Sequence, residues 1–205
     1  MKILLILALV VMIASSCNEN EEILEKENRI REVPHTQTVK EVSLGEASTT
    51  IIDTGKNRVS NIKLACSAVT DTVLSPGDEF SFNNIVGKRS KERGYKDAPI
   101  IFHGEKSYGV GGGICQVSST LYMAAINAGL KITEHHNHSE SVSYAPDKKD
   151  ATVVYGEKDL KFINNTENDI HIFAWVDENK VWVKLVQKNV EPLDFCSVMC
   201  YNSTT

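Results

Sequence analysis

Apolar positions divide the chain into stretches of different period. Residues 3–14 are an unbroken apolar run, and 18–46 are polar and charged, with only a thin apolar face over 22–31. Regular patterning starts near residue 47. Residues 47–53 read as a strand. Val59, Ile62, Cys66, Val69 and Val73 recur at helical spacing and predict an amphipathic helix over 56–74. Pro76-Gly77 forces a turn, and 79–82 alternates as a strand. Residues 87–94 form a charged loop, solvated by default and otherwise a contact for an anionic substrate. Residues 98–102 read as a strand turned by His103-Gly104. A second helical series, Val117, Leu121, Ala124, Ala125 and Ala128, follows a glycine run and stops at Gly129. The period then drops to two. Leu130, Ile132, Glu134, His136 and His138 share one face of a strand, with His135 on the other. Pro146 with Asp147-Lys148-Lys149 marks a turn. Residues 151–155, 160–163, 170–176 and 181–186 read as four more strands, the last two joined by the hairpin signal Asp177-Glu178-Asn179-Lys180. The class is α+β, an antiparallel-rich sheet with the second helix packed against it.

Composition bounds this picture. A chain of 205 residues with 41% apolar content supports one core of ordinary size. The net charge of −5 and the lack of a basic run argue against a nucleic-acid partner. The apolar run after Lys2 is too short to span a bilayer and reads as a signal peptide. It ends in Ala14-Ser15-Ser16-Cys17, which resembles a bacterial lipobox and marks Cys17 as the lipidation site; an ordinary secretory peptide is the alternative. The expected organisation is a lipoprotein signal over 1–16, a polar tether over 17–47, a domain over 48–190 and a tail over 191–205. An exported chain facing the cell envelope and held to the membrane by lipid follows. Of the five cysteines, Cys66 sits on the apolar side of its helix and reads as a core thiol. Cys196 and Cys200 in the tail could pair or form half a metal site, but two cysteines alone specify nothing.

The chemistry concentrates at Gly109-Val110-Gly111-Gly112-Gly113-Ile114-Cys115-Gln116, where four glycines run into a cysteine at the start of a helix. Unpartnered N–H groups and the helix dipole stabilise a thiolate there and can hold an oxyanion. A thiolate nucleophile needs a histidine and a group to orient it. His136 and His138 share a face, and Asp150 opens the next predicted segment. We favour His138 as the base, with His136 second, since parity does not separate them. Helix-borne Cys, strand-borne His, then Asp is the order of papain-like and transglutaminase-like sites. Other readings are a structural cysteine, a phosphate loop, which lacks the Lys-Ser/Thr ending, and a zinc site on His136 and His138 with Cys115 or Asp150, which lacks a second spaced pair. Ser118 and Ser119 are expected to bond the backbone, Asp159 to support the sheet, and His35, His103 and His171 to be isolated.

Pro76-Gly77-Asp78-Glu79-Phe80-Ser81-Phe82-Asn83, Glu92-Arg93-Gly94-Tyr95, the glycine–cysteine stretch through Ser118, His136-Asn137-His138-Ser139, Tyr144-Ala145-Pro146 and Asp150-Ala151-Thr152-Val153 together resemble the VanW family, in order and over roughly residues 59–186. The resemblance implies L,D-transpeptidation, the formation of 3-3 cross-links between peptidoglycan stem peptides. It implies Cys115 as nucleophile, with His136, His138 and Asp150 matching the family's histidines and aspartate, and no cofactor. Gly111, Gly112, Gly113 and Gln116 are the expected oxyanion and substrate-binding positions. A cysteine peptidase or amidase acting on wall peptides, and a non-catalytic glycopeptide-resistance or wall-binding lipoprotein, are the alternatives.

Overall fold

The computed structural model describes residues 39–102 and 105–190. Its centre is a four-stranded antiparallel sheet in the order β1 (Val39–Thr50), β9 (Lys180–Val190), β8 (Ile170–Asp177), β2 (Thr72–Leu74). The strands hold together because alternate residues are apolar on one face. Ile172 pairs with Leu185 and Ala174 with Val183, and these side chains are buried. Helices α1 (Lys56–Val69) and α3 (Ile114–Asn127) cover that face, bringing Ile62, Ala65 and Val69 from one and Val117, Leu121, Ala124 and Ala125 from the other. Fully burying one such Leu or Ile contributes about 1.5–3 kcal/mol.

β1 and α3 touch at Gly45, where the strand register shifts. A Cβ there would lie 2.5 Å from the Ala124 carbonyl oxygen, so only glycine lets the helix approach this closely. Beside the core, a three-stranded antiparallel sheet runs β3 (Glu79–Ser81), β7 (Lys161–Ile163), β6 (Lys131–Glu134). Buried Phe80 and Phe162 stack across β3 and β7 at 4.6 Å between centroids. A short helix α2 (Phe82–Val86), capped by the Ser81 hydroxyl on the Asn84 N–H, and a single 3-10 turn (Lys91–Arg93) lead to the hairpin of β4 (Asp97–Phe102) and β5 (Glu105–Val110). The fold is α+β with antiparallel sheets, as the periodicity predicts.

Several elements differ from the sequence reading. The first strand starts at Val39 rather than 47, so 39–47, expected in the tether, are sheet. The first helix ends at Val69. Asp71 takes a left-handed conformation (φ 62°), and Thr72–Leu74 turns back as a strand, leaving Val73 exposed instead of on a helix face. β5 and α2 were not anticipated. Residues 151–155 are not a strand: they make one isolated bridge, Val154 to Lys158, and the Ser119 hydroxyl takes the Ala151 N–H at 2.8 Å. Cys66 is buried as expected, and burial pushes its thiol up to about 12. Residues 1–38 and 191–205, with Cys17, His35, Cys196 and Cys200, and the His103-Gly104 turn lie outside the described residues.

Candidate active site

Gly113 precedes α3 with φ 106°, a conformation L side chains rarely adopt, and a Cβ there would also press on Arg58 and Ile62 at 3.0 Å. The turn therefore delivers Cys115 as the second residue of the helix, half-buried, with Sγ 3.7 Å from the Val153 carbonyl. Ser118 and Ser119 staple this helix end to the segment behind it. Ser118 Oγ donates to the Ala151 carbonyl at 2.7 Å, and Ser119 Oγ donates to the Cys115 carbonyl at 2.6 Å while accepting from Ala151.

That segment carries Asp150, which is held by His138 and Asn137. The His138 ring donates from Nδ1 to Asp150 Oδ2 at 2.6 Å, and the His138 backbone N–H donates to the same oxygen at 2.7 Å. Asn137 Nδ2 donates to Oδ1 at 3.0 Å. With Nδ1 spent on the carboxylate, the opposite ring nitrogen of His138 is left for the Cys115 sulfur, to which the ring is hydrogen-bonded. Burial raises the Cys115 pKa, but the hydrogen bond and charge of His138, with Arg89 beyond, outweigh it and the thiol lies below its ordinary value. Burial lowers His138, yet Cys115 and Asp150 carry it above the ordinary histidine value. Burial raises Asp150, and the His138 and Asn137 hydrogen bonds bring it below the carboxylate value. Both shifts favour the charged forms, thiolate on the sulfur and imidazolium on the ring.

His136 is not part of this cluster. The expected strand stops at Glu134, and residues 135–138 leave it as a loop, so alternation no longer sets which way the rings face. His136 Nε2 donates to Glu134 Oε1 at 3.0 Å, while the Thr152 N–H donates to the His136 carbonyl at 2.7 Å. His135 stacks on Tyr122 at 3.9 Å between centroids and donates to the Asp150 carbonyl at 2.7 Å. The histidines thus diverge, and among the described residues no group of three or more His, Cys, Asp and Glu side chains could hold a metal ion.

Most of the expected oxyanion donors already have partners within the chain. Gln116 is buried and its amide nitrogen donates to Thr49 Oγ1 at 3.1 Å and to the Thr50 carbonyl at 2.9 Å, tying α3 to β1. Both N–H groups of its amide are thus used within the chain. The Gly111 N–H donates to the Lys96 carbonyl, Gly112 to Gly109, Ile114 to Gly111 and Gln116 to Gly113. Among the described residues, the N–H groups of Gly113 and Cys115 have no hydrogen-bond partner.

Three residues at the site were not singled out from sequence. Arg89 comes from the charged loop, yet its stem lies on Gly111, its guanidinium sits 5.5 Å over the Phe82 ring, and Nη1 donates to Asn83 Oδ1 at 2.6 Å. Arg58 lies against Gly113 and donates to Gln116 Oε1 at 3.1 Å. The Tyr144 phenol is pushed up by burial and by the charge on Cys115, and it is hydrogen-bonded to Ser119. Tyr144 stood in the quoted Tyr144-Ala145-Pro146 block, which was its only signal. Asp159 is structural: it accepts from Ser81 Oγ at 2.6 Å and from the Asn83 N–H at 2.8 Å.

Comparison with known proteins agrees with the motifs. The family model described as VanW like protein matches residues 57–186. The Bacillus subtilis (strain 168) protein YoaR is 47% identical over 131 residues, covering 64% of this chain and 43% of that protein. The vancomycin B-type resistance protein VanW of Enterococcus faecalis (strain ATCC 700802 / V583) is 30% identical over 131 residues, covering 62% of this chain and 48% of that one. The chain thus spans less than half the length of these curated relatives. No solved structure matches it. With the match running from the first turn of α1 into β9 and taking in Cys115, His138 and Asp150, the chain belongs to the VanW-like family.

Proposed function

We propose that the protein is a cell-envelope cysteine acyltransferase acting on peptidoglycan stem peptides, an L,D-transpeptidase that forms 3-3 cross-links. The observation that carries this reading is the single imidazole shared between Asp150 and the Cys115 sulfur. The Cys115 thiolate attacks the carbonyl between the third and fourth stem residues. The N–H groups of Gly113 and Cys115 stabilise the oxyanion. As the C–N bond breaks, the His138 imidazolium gives its proton to the departing amine, leaving a thioester. A side-chain amine of a neighbouring stem then attacks the thioester, His138 accepts its proton, and the thiolate leaves. The order Cys, His, Asp is that of papain-like and transglutaminase-like sites, a likeness of layout. The relative named for vancomycin resistance supports a cell-envelope setting. In this reading Cys17 carries lipid.

The test is mass spectrometry of the protein incubated with a tetrapeptide stem. A mass gain on Cys115 equal to the tripeptide acyl group, lost on adding an amine acceptor with a cross-linked product, is expected. Cys115→Ala should form no adduct while keeping its fold. Release of tripeptide to water in the presence of acceptor would make the protein a peptidase. Absence of any adduct, with Cys115 resistant to alkylation at neutral pH, would leave a non-catalytic wall protein.

A further inference from the structure

Among the described residues, three buried polar side-chain atoms have no hydrogen-bond partner: Arg58 Nε, Arg89 Nη2 and Thr152 Oγ1. All three belong to the segments around the Cys115 turn. Arg89 lies on Gly111 and Arg58 on Gly113, the two ends of the turn that delivers the cysteine. Thr152 precedes Val153, whose carbonyl touches the sulfur. Buried polar atoms are matched almost everywhere in native interiors, so unmatched ones gathered around a reactive centre are where an incoming polar group would find partners.

Arg89 is the best placed. Its Nη1 is spent on Asn83 Oδ1 at 2.6 Å and the Gly87 carbonyl at 3.1 Å, and Phe82 lies under the guanidinium. Asn83 is itself pinned, its N–H on Asp159 and its amide on the Val154 and Lys158 carbonyls. The guanidinium is therefore preorganised, it has no carboxylate partner among the described residues, and one N–H edge is left over. Arg89 is half-buried in a loop whose Lys88, Lys91, Glu92 and Arg93 are exposed, and the unmatched Nη2 is itself closed from solvent, so a ligand must displace part of that loop to meet it.

We propose that Arg89 forms a carboxylate subsite beside Cys115, selecting acyl donors whose departing residue carries a free carboxylate. This rests on the acyltransfer reading. A terminal carboxylate stands one residue, about 3.8 Å of chain, beyond the scissile carbonyl, which suits an arginine whose stem packs on Gly111 of the nucleophile's turn and whose charge acts on the Cys115 sulfur. A side-chain carboxylate on the acyl residue is the other source of the same chemistry, and the test separates the two.

The experiment measures how well tetrapeptide stems protect Cys115 from iodoacetamide in the full chain, with adduct mass read in parallel. Three peptides are compared: the free acid, the C-terminal amide, and the peptide amidated on the third residue's side chain. The free acid should protect at about tenfold lower concentration than the C-terminal amide, and side-chain amidation should change nothing. Arg89→Gln should erase the difference, and Arg89→Lys should keep part of it. Circular dichroism checks the fold of both variants. Equal protection by acid and C-terminal amide in the wild type, sensitivity to the side-chain carboxylate instead, or a preference that survives in Arg89→Gln would overturn the subsite. Carboxylate-dependent protection without any acyl adduct would overturn the reaction and leave the subsite standing. Adducts formed equally from acid and amide would do the reverse, and no protection by any peptide would sink both.

Discussion

Removing the His138 ring should raise the pH at which Cys115 becomes nucleophilic. Burial alone pushes this thiol up, and the imidazole is what reverses the sign. Alkylation by iodoacetamide followed against pH should inflect below the ordinary thiol range in the wild type and above it in His138→Gln. The rate near pH 7 should fall at least about tenfold, since each unit of pKa is a factor of ten in thiolate. Asp150→Asn should give an intermediate profile, because the ring stays but loses the carboxylate that favours its charge. The same pair bears on stability. A raised His138 contributes fully below its unfolded value of 6.5 and less as pH rises through the folded one; a depressed Asp150 contributes fully above 3.8 and less as pH falls through its folded value. Their joint contribution is complete between those two values, so thermal unfolding of wild type and Asp150→Asn should differ most there. At this scale Cys115 was legible from its glycines and Asp150 from its position. Arg89 was not, because a run of charged residues carries no periodicity and its burial comes from Phe82 and Gly111, which only the tertiary fold brings to it.

Among the elements, helices were easier to read than loops that borrow strand-like patterning. α3 declared itself through Val117, Leu121 and Ala124, all buried. The segment 135–138 alternates like a strand but is held by other means: Asp150 accepts from the His138 N–H and the Thr152 N–H donates to the His136 carbonyl. Those bonds are non-local, so parity had no access to them. Ser119 is the joint between the two parts. Its loss in Ser119→Ala leaves the buried Ala151 N–H unmatched, a cost of about 1–3 kcal/mol measured by urea unfolding, and slows Cys115 alkylation as Asp150 loosens. Glu134 ends β6 by accepting from the Asp159 N–H and pairing with Lys161 at 2.9 Å; the Lys161 hydrogen bond leads the causes that bring its pKa to about 2. A depressed carboxylate stabilises above its unfolded value of 4.5 and ceases to as pH falls toward about 2. Glu134→Gln should therefore flatten the acid side of the melting-temperature profile, modestly, since its ion pair with Lys161 is part-exposed and screened by solvent.

For the molecule as a whole, the two described thiols should behave as opposites. Cys66, buried and held at about 12, should stay unmodified in native protein at neutral pH while Cys115 reacts, and become reactive only when urea opens the core. Peptide mapping after a brief alkylation checks this; label on native Cys66 would mean the core is not closed. The outline of this fold was legible because its sheet and helices follow simple periods. The early start of β1 was not, since residues 39–47 mix polar and apolar positions and gain their structure from pairing with β9.

That pairing has a mechanical consequence. β1 and β9 run antiparallel with Val39 opposite Val190 and Thr50 opposite Lys180. Tension between the two chain ends would peel the strands apart from the Val39–Val190 end, rung by rung. Thr49 and Thr50, which brace Gln116 and through it the nucleophile's helix, lie at the far end of this zipper. A domain tugged by its attachments could fray along most of its first strand before the sulfur lost its footing.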